Sequence, residues 1–90
     1  MNRCYATGRV TRPPTSKVSA MGKSIVVVHV AVEQDSVHGT PPLFEVVTTH
    51  EQAELARGLK QGAEVLVEGY FRREGPVVVI HARELKLLRP

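Results

Sequence analysis

Two runs of three valines, at residues 26–28 and 77–79, limit what this chain can fold into more than any other feature. Valine branches at Cβ, and that shape fits the pleated surface of a strand better than a helix. The first run lies in a longer stretch, residues 25–33, in which valine takes four even positions: Val26, Val28, Val30 and Val32. We therefore expect a strand here, with these four valines in the core.

The opposite side of the same stretch is also mostly apolar, since it carries Ile25, Val27, His29 and Ala31. A strand that is buried on one side alternates between apolar and polar residues. Two apolar sides therefore predict that a second subunit or a ligand covers the outer one.

Four more segments have strand character, and their limits are marked by glycine and proline. We expect these strands at residues 2–12, 44–49, 64–73 and 77–88, with Gly8 and Gly69 at bends or bulges. Prolines at positions 13 and 14 end the first strand, residues 19–23 form a turn, and residues 34–42 form a loop. By parity Phe44 and Phe71 are expected to point into the core.

One segment, residues 50–60, changes to the helical period. Ala53, Ala56 and Leu59 share a face at that spacing. Thr49 is expected to cap the helix, with Gln52 completing a capping box. Gly62 is expected to stop it.

The order of elements is therefore three strands, one helix and two strands. This order predicts an all-β fold with one helix: a five-stranded Greek-key barrel of the OB type, with the helix between strands 3 and 4. A length of 90 residues suits one domain, so we assign residues 1–90 to a single OB-fold domain. In such barrels, ligands bind the face of strands 2 and 3.

Charge and cysteine content narrow the class of protein. The net charge of +3 permits a polyanionic partner without requiring one. The single cysteine, Cys4, excludes an intrachain disulfide and a multi-cysteine zinc site, and it fits a reducing cytoplasm. No apolar stretch approaches the roughly 20 residues that cross a bilayer, and the N-terminus has no signal pattern. We expect a cytoplasmic protein without membrane contact.

Neither catalysis nor a cofactor is indicated. The chain has no glycine-rich phosphate loop, no nucleophile motif and no paired carboxylates on one element. Its histidines are far apart and lack zinc-site spacing: His29, His38, His50 and His81. We expect a protein that is not an enzyme and that binds no cofactor and no metal.

Two stretches of the sequence carry a resemblance to a known family. The first is residues 8–14, Gly-Arg-Val-Thr-Arg-Pro-Pro, followed by Gly22 and Lys23. The second, residues 53–69, has the helix, the Lys-x-Gly turn and the Val-Glu-Gly strand in the family's order and spacing. In these features the chain resembles the bacterial single-stranded-DNA-binding proteins. The resemblance covers nearly the whole chain and implies an OB fold that binds single-stranded DNA.

A branch close to that family is the primosomal replication protein, which assists the restart of stalled forks. Asn2-Arg3, residues 17–19, Gly22 and His50-Glu51 resemble it, and the chain stops at Pro90, directly after the last strand. This resemblance implies an accessory of DNA replication, replication restart or recombination. Its implied partners are single-stranded DNA and replication or restart proteins such as a helicase. It also implies a homodimer, with a tetramer as the alternative.

Eight residues are candidates for contact with nucleic acid. They are Arg9, Arg12, Lys17, Lys23, Leu43, Tyr70, Arg72 and Arg73. The first four lie on strand one, its exit and the following turn, where they would line the path of a phosphate backbone. The last two lie where the fourth strand leaves the barrel. For every cation the alternative is solvated surface charge, and for Tyr70 the alternatives are base stacking and packing at a subunit interface.

The aromatic residues on which the family stacks bases fall at about Leu43 and near Thr49, and neither position is aromatic here. Stacking contributes about 1–3 kcal/mol per base. The hairpin between strands four and five is also cut to residues 73–76. We therefore expect weaker and more salt-dependent binding, carried mostly by phosphate contacts.

A second hypothesis is an OB-fold protein–protein interaction module with weak or no nucleic-acid binding. The missing aromatics, the short loops and the apolar outer side of the second strand favour it. RNA is a third candidate ligand, since nothing in the sequence separates it from DNA.

Overall fold

The computed structural model describes residues 1–33 and 39–90, so most of the loop predicted at 34–42, including His38, lies outside the described residues. One helix, α1 (His50–Arg57), accompanies six strands. The strands are β1 (Cys4–Val10), β2 (Thr15–Val18), β3 (Ser24–Val32), β4 (Leu43–Thr49), β5 (Glu64–Glu74) and β6 (Val77–Arg89). No helix in the described part of the chain is long and apolar enough to cross a membrane.

Five of the strands close into a ring. The sheet order is β1-β5-β6-β4-β3-β2, and an additional pairing of β1 with β3 joins the two ends of the five-strand set. β4 and β6 run parallel, and the other pairs are antiparallel. This confirms the predicted five-stranded OB barrel with one helix. The helix follows β4 rather than a third strand only because β2 adds one to the count.

The short strand β2 has no clear signal in the sequence, because two prolines precede it and it has only four residues. Thr15 lies opposite Val27 and Lys17 lies opposite Ile25, so β2 forms a hairpin with the first half of β3. The predicted turn connects the two strands, and the N–H of Gly22 donates to the carbonyl of Ser19 at 2.9 Å. The hairpin extends the sheet beyond the ring.

The interior has a main cluster and a smaller one on the other side of the sheet. The even valines of β3 enter the main cluster: Val26 and Val28 are fully buried, and Val32 packs at its border. The smaller cluster consists of Val27, Val47 and Val79, which are only 4%, 7% and 1% exposed. The sequence pattern suggested an open apolar patch on the outer side of β3 that a second subunit or a ligand would cover. At the centre of that side, Val47 of β4 and Val79 of β6 pack against Val27 instead.

Helix α1 is shorter than predicted and is not held by its expected cap. It ends at Arg57 with Gly58 as C-cap, although Leu59 is buried as the periodicity required. Thr49 occupies the N-cap position but its side chain makes no capping bond. Instead of completing a capping box, Gln52 accepts a hydrogen bond at its Oε1 from the backbone N–H of Leu85, at 2.7 Å. That bond ties the helix to β6.

Gly8 and Gly69 permit close approaches of backbone to backbone, as their place in strands suggested. A Cβ at Gly8 would collide with the carbonyl oxygen of Ala31, and one at Gly69 would collide with that of His81. The register of β5 with β6 shifts between Glu68 and Gly69, which is the predicted irregularity.

Candidate nucleic-acid interface

The outward side chains of β3 and β4 continue without interruption onto β6 and β5. Val27 lies opposite Val47, Val47 lies beside His81, and His81 lies opposite Tyr70. Because paired residues of neighbouring strands point to the same side of a sheet, these four side chains share one surface. We name it the strand face and define it by Lys17, Val27, Val47, His81, Tyr70 and Arg72.

The floor of the strand face is apolar at its centre and polar towards the end of β3. Val27 and Val47 form the centre, and they are almost inaccessible. Next to them, the Nε2 of His29 lies 3.5 Å from a carboxylate oxygen of Glu45. The Nδ1 of His29 is buried and finds no hydrogen-bond partner among the described residues. Most buried polar atoms in folded proteins have a hydrogen-bond partner, so His29 is an exception on this face.

The structure brings four of the eight predicted residues onto this one face or its rim. Lys17 lies opposite Ile25 at the β2 edge, and Arg72 lies opposite Val79 at the hairpin edge. Tyr70 is two residues from Arg72 on the same side of β5, and Leu43, half-exposed, lies opposite Ala31 where β4 begins. The predicted cations therefore flank the apolar floor from both ends.

The other four candidates lie around this face rather than on it. Lys23 is exposed in the turn between β2 and β3, and Arg12 is exposed between β1 and β2. Arg73 neighbours Arg72 and points to the opposite side of the hairpin, because successive side chains alternate along a strand. Arg9 is opposite Glu64 on β5, which places it about 26 Å along that strand from Arg72 at 3.3 Å per residue.

Arg9 differs from the other predicted cations because it forms an ion pair with a carboxylate. Its guanidinium lies 3.8 Å from a carboxylate oxygen of Glu64 and donates to the carbonyl of Gly62 at 3.0 Å. Arg12, Lys17, Lys23, Arg72 and Arg73 pair with no carboxylate within residues 1–33 and 39–90. Their charge is therefore fully available to an anionic ligand.

Two residues on the hairpin of β5 and β6, His81 and Arg83, join the site without any signal in the sequence. The ring of His81 stacks on that of Tyr70, with centroids 5.4 Å apart, and Arg83 lies over the same tyrosine at 5.5 Å. On the other side of β5, Phe71 is not in the core as predicted but is 39% exposed at the rim, where its ring meets Phe44 at 5.9 Å. Parity alone places Phe71 on the inner side, and the tertiary structure shows that the barrel has ended there.

This arrangement suits a flexible anionic chain better than a compact ligand or a reaction. Unpaired cations at two edges of an apolar and partly aromatic floor match the way in which single strands are held, by phosphate contacts and base stacking. Within the described residues, no group of three or more His, Cys, Asp or Glu side chains is placed to hold a metal ion.

Comparison with solved structures identifies proteins of similar fold. The single-stranded DNA binding protein from Thermus aquaticus superimposes with a TM-score of 0.83 at 27% sequence identity, over 100% of this chain and 40% of that one. A deletion mutant of the same protein gives a TM-score of 0.84 at 27% identity, over 100% of this chain and 41% of that one. The chain thus spans about two fifths of the length of the Thermus protein.

A third similar structure is the mitochondrial single-stranded DNA binding protein from S. cerevisiae. It superimposes with a TM-score of 0.79 at 19% identity, over 97% of this chain and 93% of that one, and at this identity the likeness concerns the fold alone. None of the curated proteins compared with the chain matches it. Residues 1–75 match the sequence pattern of a family across most of the 90 residues, and the chain therefore belongs to the Single-strand binding protein family.

Proposed function

We propose that this protein binds single-stranded DNA across the strand face, through phosphate contacts from both edges. The observation that carries the proposal is the position of Lys17 and Arg72. They stand at opposite edges of one apolar floor, and neither is neutralised by a described carboxylate. Membership of the Single-strand binding protein family supports the same ligand class.

The absence of a stacking aromatic at Leu43 makes phosphate contacts the larger part of the binding free energy. Stacking on an aromatic ring contributes about 1–3 kcal/mol per base, and an aliphatic side chain does not replace it. An accessory role in replication, replication restart or recombination follows from that expectation, because weak binding suits a protein that acts beside others on the same strand. The primosomal branch of the sequence resemblance fits this role.

Fluorescence anisotropy with a labelled oligothymidine at low salt tests the binding. The double variant Arg72→Ala, Lys17→Ala is expected to weaken binding about a hundredfold or more, because each of the two charged contacts contributes about 1.5–3 kcal/mol. The matched control is Lys60→Ala, which removes an exposed positive charge from the turn after α1. Failure of the unmodified protein to bind at low salt, or equal losses in both variants, would refute the proposal. An oligouridine of the same length, run in parallel, separates DNA from RNA.

The second candidate is a protein-interaction module, and exposed apolar side chains at the barrel rim favour it. Val77 and Val78, at the tip of the β5–β6 hairpin, are 48% and 45% exposed, and Phe71, further along β5, is 39% exposed. A pull-down from nuclease-treated extract tests this candidate. Recovery of a replication helicase, in a protein that does not bind oligothymidine, would favour the interaction module over the DNA-binding protein.

A homodimer is part of the proposal, and the free edge of β1 supports it. Residues 4–6 pair with β5 on one side, whereas β1 pairs with β3 only at Gly8, Arg9 and Val10. An unpaired strand edge is a template for pairing with a second copy. Tyr5, 64% exposed on that segment, adds apolar area to such a contact.

A further inference from the structure

We propose that Arg83 is an additional phosphate-binding residue, held ready for its ligand by the ring of Tyr70. This inference rests on the proposed function, since it extends the path of the DNA from the strand face. The sequence indicates Arg72 and Arg73 in this region, and nothing in its spacing marks Arg83.

The backbone accounts for the position of Arg83. Gly69 pairs with Ala82 and Glu68 pairs with Glu84, so Arg83 is the extra residue of the bulge and has no partner on β5. Such bulges turn a side chain away from the regular alternation. Gly69 permits the close approach of the two strands here, because a Cβ would collide with the carbonyl of His81.

A stacked column of side chains then fixes the guanidinium. It runs from Glu74 through His81 and Tyr70 to Arg83. A carboxylate oxygen of Glu74 lies 2.9 Å from Nε2 of His81, whose ring lies at 22° to that of Tyr70, and the guanidinium carbon of Arg83 is 5.5 Å from the tyrosine centroid. Contact with the face of an aromatic ring attracts a cation and leaves its N–H donors free.

The charge of Arg83 is not neutralised within the described residues. Arg3 pairs with Glu68 and Arg89 pairs with Glu64, but Arg83 pairs with no carboxylate within residues 1–33 and 39–90. An arginine that is oriented before binding loses less side-chain entropy when it contacts a phosphate. Arg83 therefore combines free charge with prior orientation.

The surroundings of Arg83 leave room for a ligand. Asn2, Arg3, Gly69 and Arg83 line a cavity of about 230 Å³, which is open to solvent. Asn2 is itself held in place, because its Nδ2 donates to the carbonyl of Phe71 at 2.6 Å and its Oδ1 accepts from the N–H of Phe71 at 2.9 Å. A DNA strand that crosses Arg72 and Tyr70 on β5 meets Arg83 next, and one of its phosphate groups fits the polar space beyond.

Titration of labelled oligothymidine over a series of KCl concentrations tests the role of Arg83. Arg83→Ala is expected to weaken binding about tenfold at low salt. It should also make the negative slope of log K against log salt shallower by about 0.7, the value for one phosphate contact on a single strand. Lys60→Ala serves as the control and should leave both quantities unchanged. If Arg83→Ala binds like Lys60→Ala while the Lys17 and Arg72 double variant still loses affinity, the inference is wrong and the proposed function stands.

The positioning role of Tyr70 has its own readout. Tyr70→Phe keeps an aromatic face and should bind like the unmodified protein, whereas Tyr70→Leu should bind about two- to fivefold more weakly. In the Tyr70→Leu background, Arg83→Ala should cost less than it does alone. Without DNA, the NMR resonances of the Arg83 side chain should lose their ring-current shift in Tyr70→Leu and keep it in Tyr70→Phe. An unchanged shift in Tyr70→Leu would contradict the positioning role, even if that variant is less stable.

Discussion

His50 begins α1 in a backbone conformation that its side chain disfavours. Its φ is 55°, in the left-handed region, and it is the one non-glycine residue with positive φ in the described part of the chain. A side chain with a Cβ costs about 1–2 kcal/mol there. The packing of β4 and α1 imposes this angle, because the chain must turn from a core strand directly into the helix.

The substitution His50→Gly is expected to stabilise the protein by about 0.5–1 kcal/mol, less than the full cost of the angle because glycine also gains entropy in the unfolded chain. Urea denaturation measures the free energy of unfolding. Glu51→Gly, one residue later inside the helix, is the control and should lose about 1 kcal/mol. A loss at both positions would show that His50 carries no strain.

Cys4 lies partly buried where β1 meets β5. Burial raises the pKa of its thiol above the ordinary value, and a hydrogen bond with the backbone of Gly69 opposes part of that rise. The folded protein therefore holds the thiol proton more firmly than the unfolded chain does. The resulting stability is fully present below the unfolded pKa of about 8.5 and is lost as the pH rises through the folded pKa.

The rate at which Cys4 reacts with a disulfide reagent is thus expected to reach half its maximum at higher pH in the folded protein than in urea. Only the thiolate reacts, so the midpoint reports the pKa. Burial also slows the reaction at every pH, but it does not by itself move the midpoint. A midpoint equal to or below that of the unfolded chain would contradict the expected direction.

Among the contacts between elements, Gln52 makes a polar link between α1 and β6. Its side-chain carbonyl accepts from the N–H of Leu85, whose side chain is 3% exposed in the core. Removal of the acceptor leaves a half-buried donor without a partner, which costs about 1–3 kcal/mol. Gln52→Ala is therefore expected to lower the free energy of unfolding by that amount in urea denaturation. Gln61→Ala, an exposed glutamine in the turn after the helix, should change it little.

Across the molecule as a whole, the charges divide into paired and free groups. Arg3, Arg9, Arg57 and Arg89 have carboxylate partners. Lys86 pairs with Glu84. The cations without a carboxylate partner among the described residues include Arg12, Lys17, Lys23, Arg72, Arg73 and Arg83. If three to five of the free cations contact phosphates, the slope of log K against log salt should be about −2 to −3.5. A slope near zero in the KCl series would mean that phosphate contacts do not carry the binding.

The mass in solution tests the proposed homodimer at the scale of the whole chain. Pairing of the free β1 edges in two copies should give twice the mass of one chain at micromolar concentration by native mass spectrometry. Tyr5→Lys places a like charge in each copy at that contact and should shift the mass to that of one chain. Leu43→Lys, also on an exposed strand position, is the control. A single-chain mass for the unmodified protein would contradict the homodimer.

The barrel could be predicted from the amino-acid sequence, because the period of two in the valine segments and the period of 3.6 in one short segment are local properties of the chain. The roles of Gly8 and Gly69 could also be predicted from the sequence, since a glycine within a strand often marks a bulge or a close approach of backbone. Of the site, the cations near both hairpins could be predicted, because they are recognisable by residue type and by their place next to turns.

Which side chains meet one another, in contrast, depends on the tertiary structure. Sequence places Val27 on an open side of its strand, whereas β4 and β6 bury it with Val47 and Val79. Sequence treats Arg9 and Arg72 alike, whereas the register of β1 with β5 pairs Arg9 with Glu64 and leaves Arg72 free. The bulge aims Arg83 at Tyr70 in the same way. The physical reason is that burial, ion pairing and stacking depend on distances between strands that are far apart in the chain, and the closure of the barrel sets those distances.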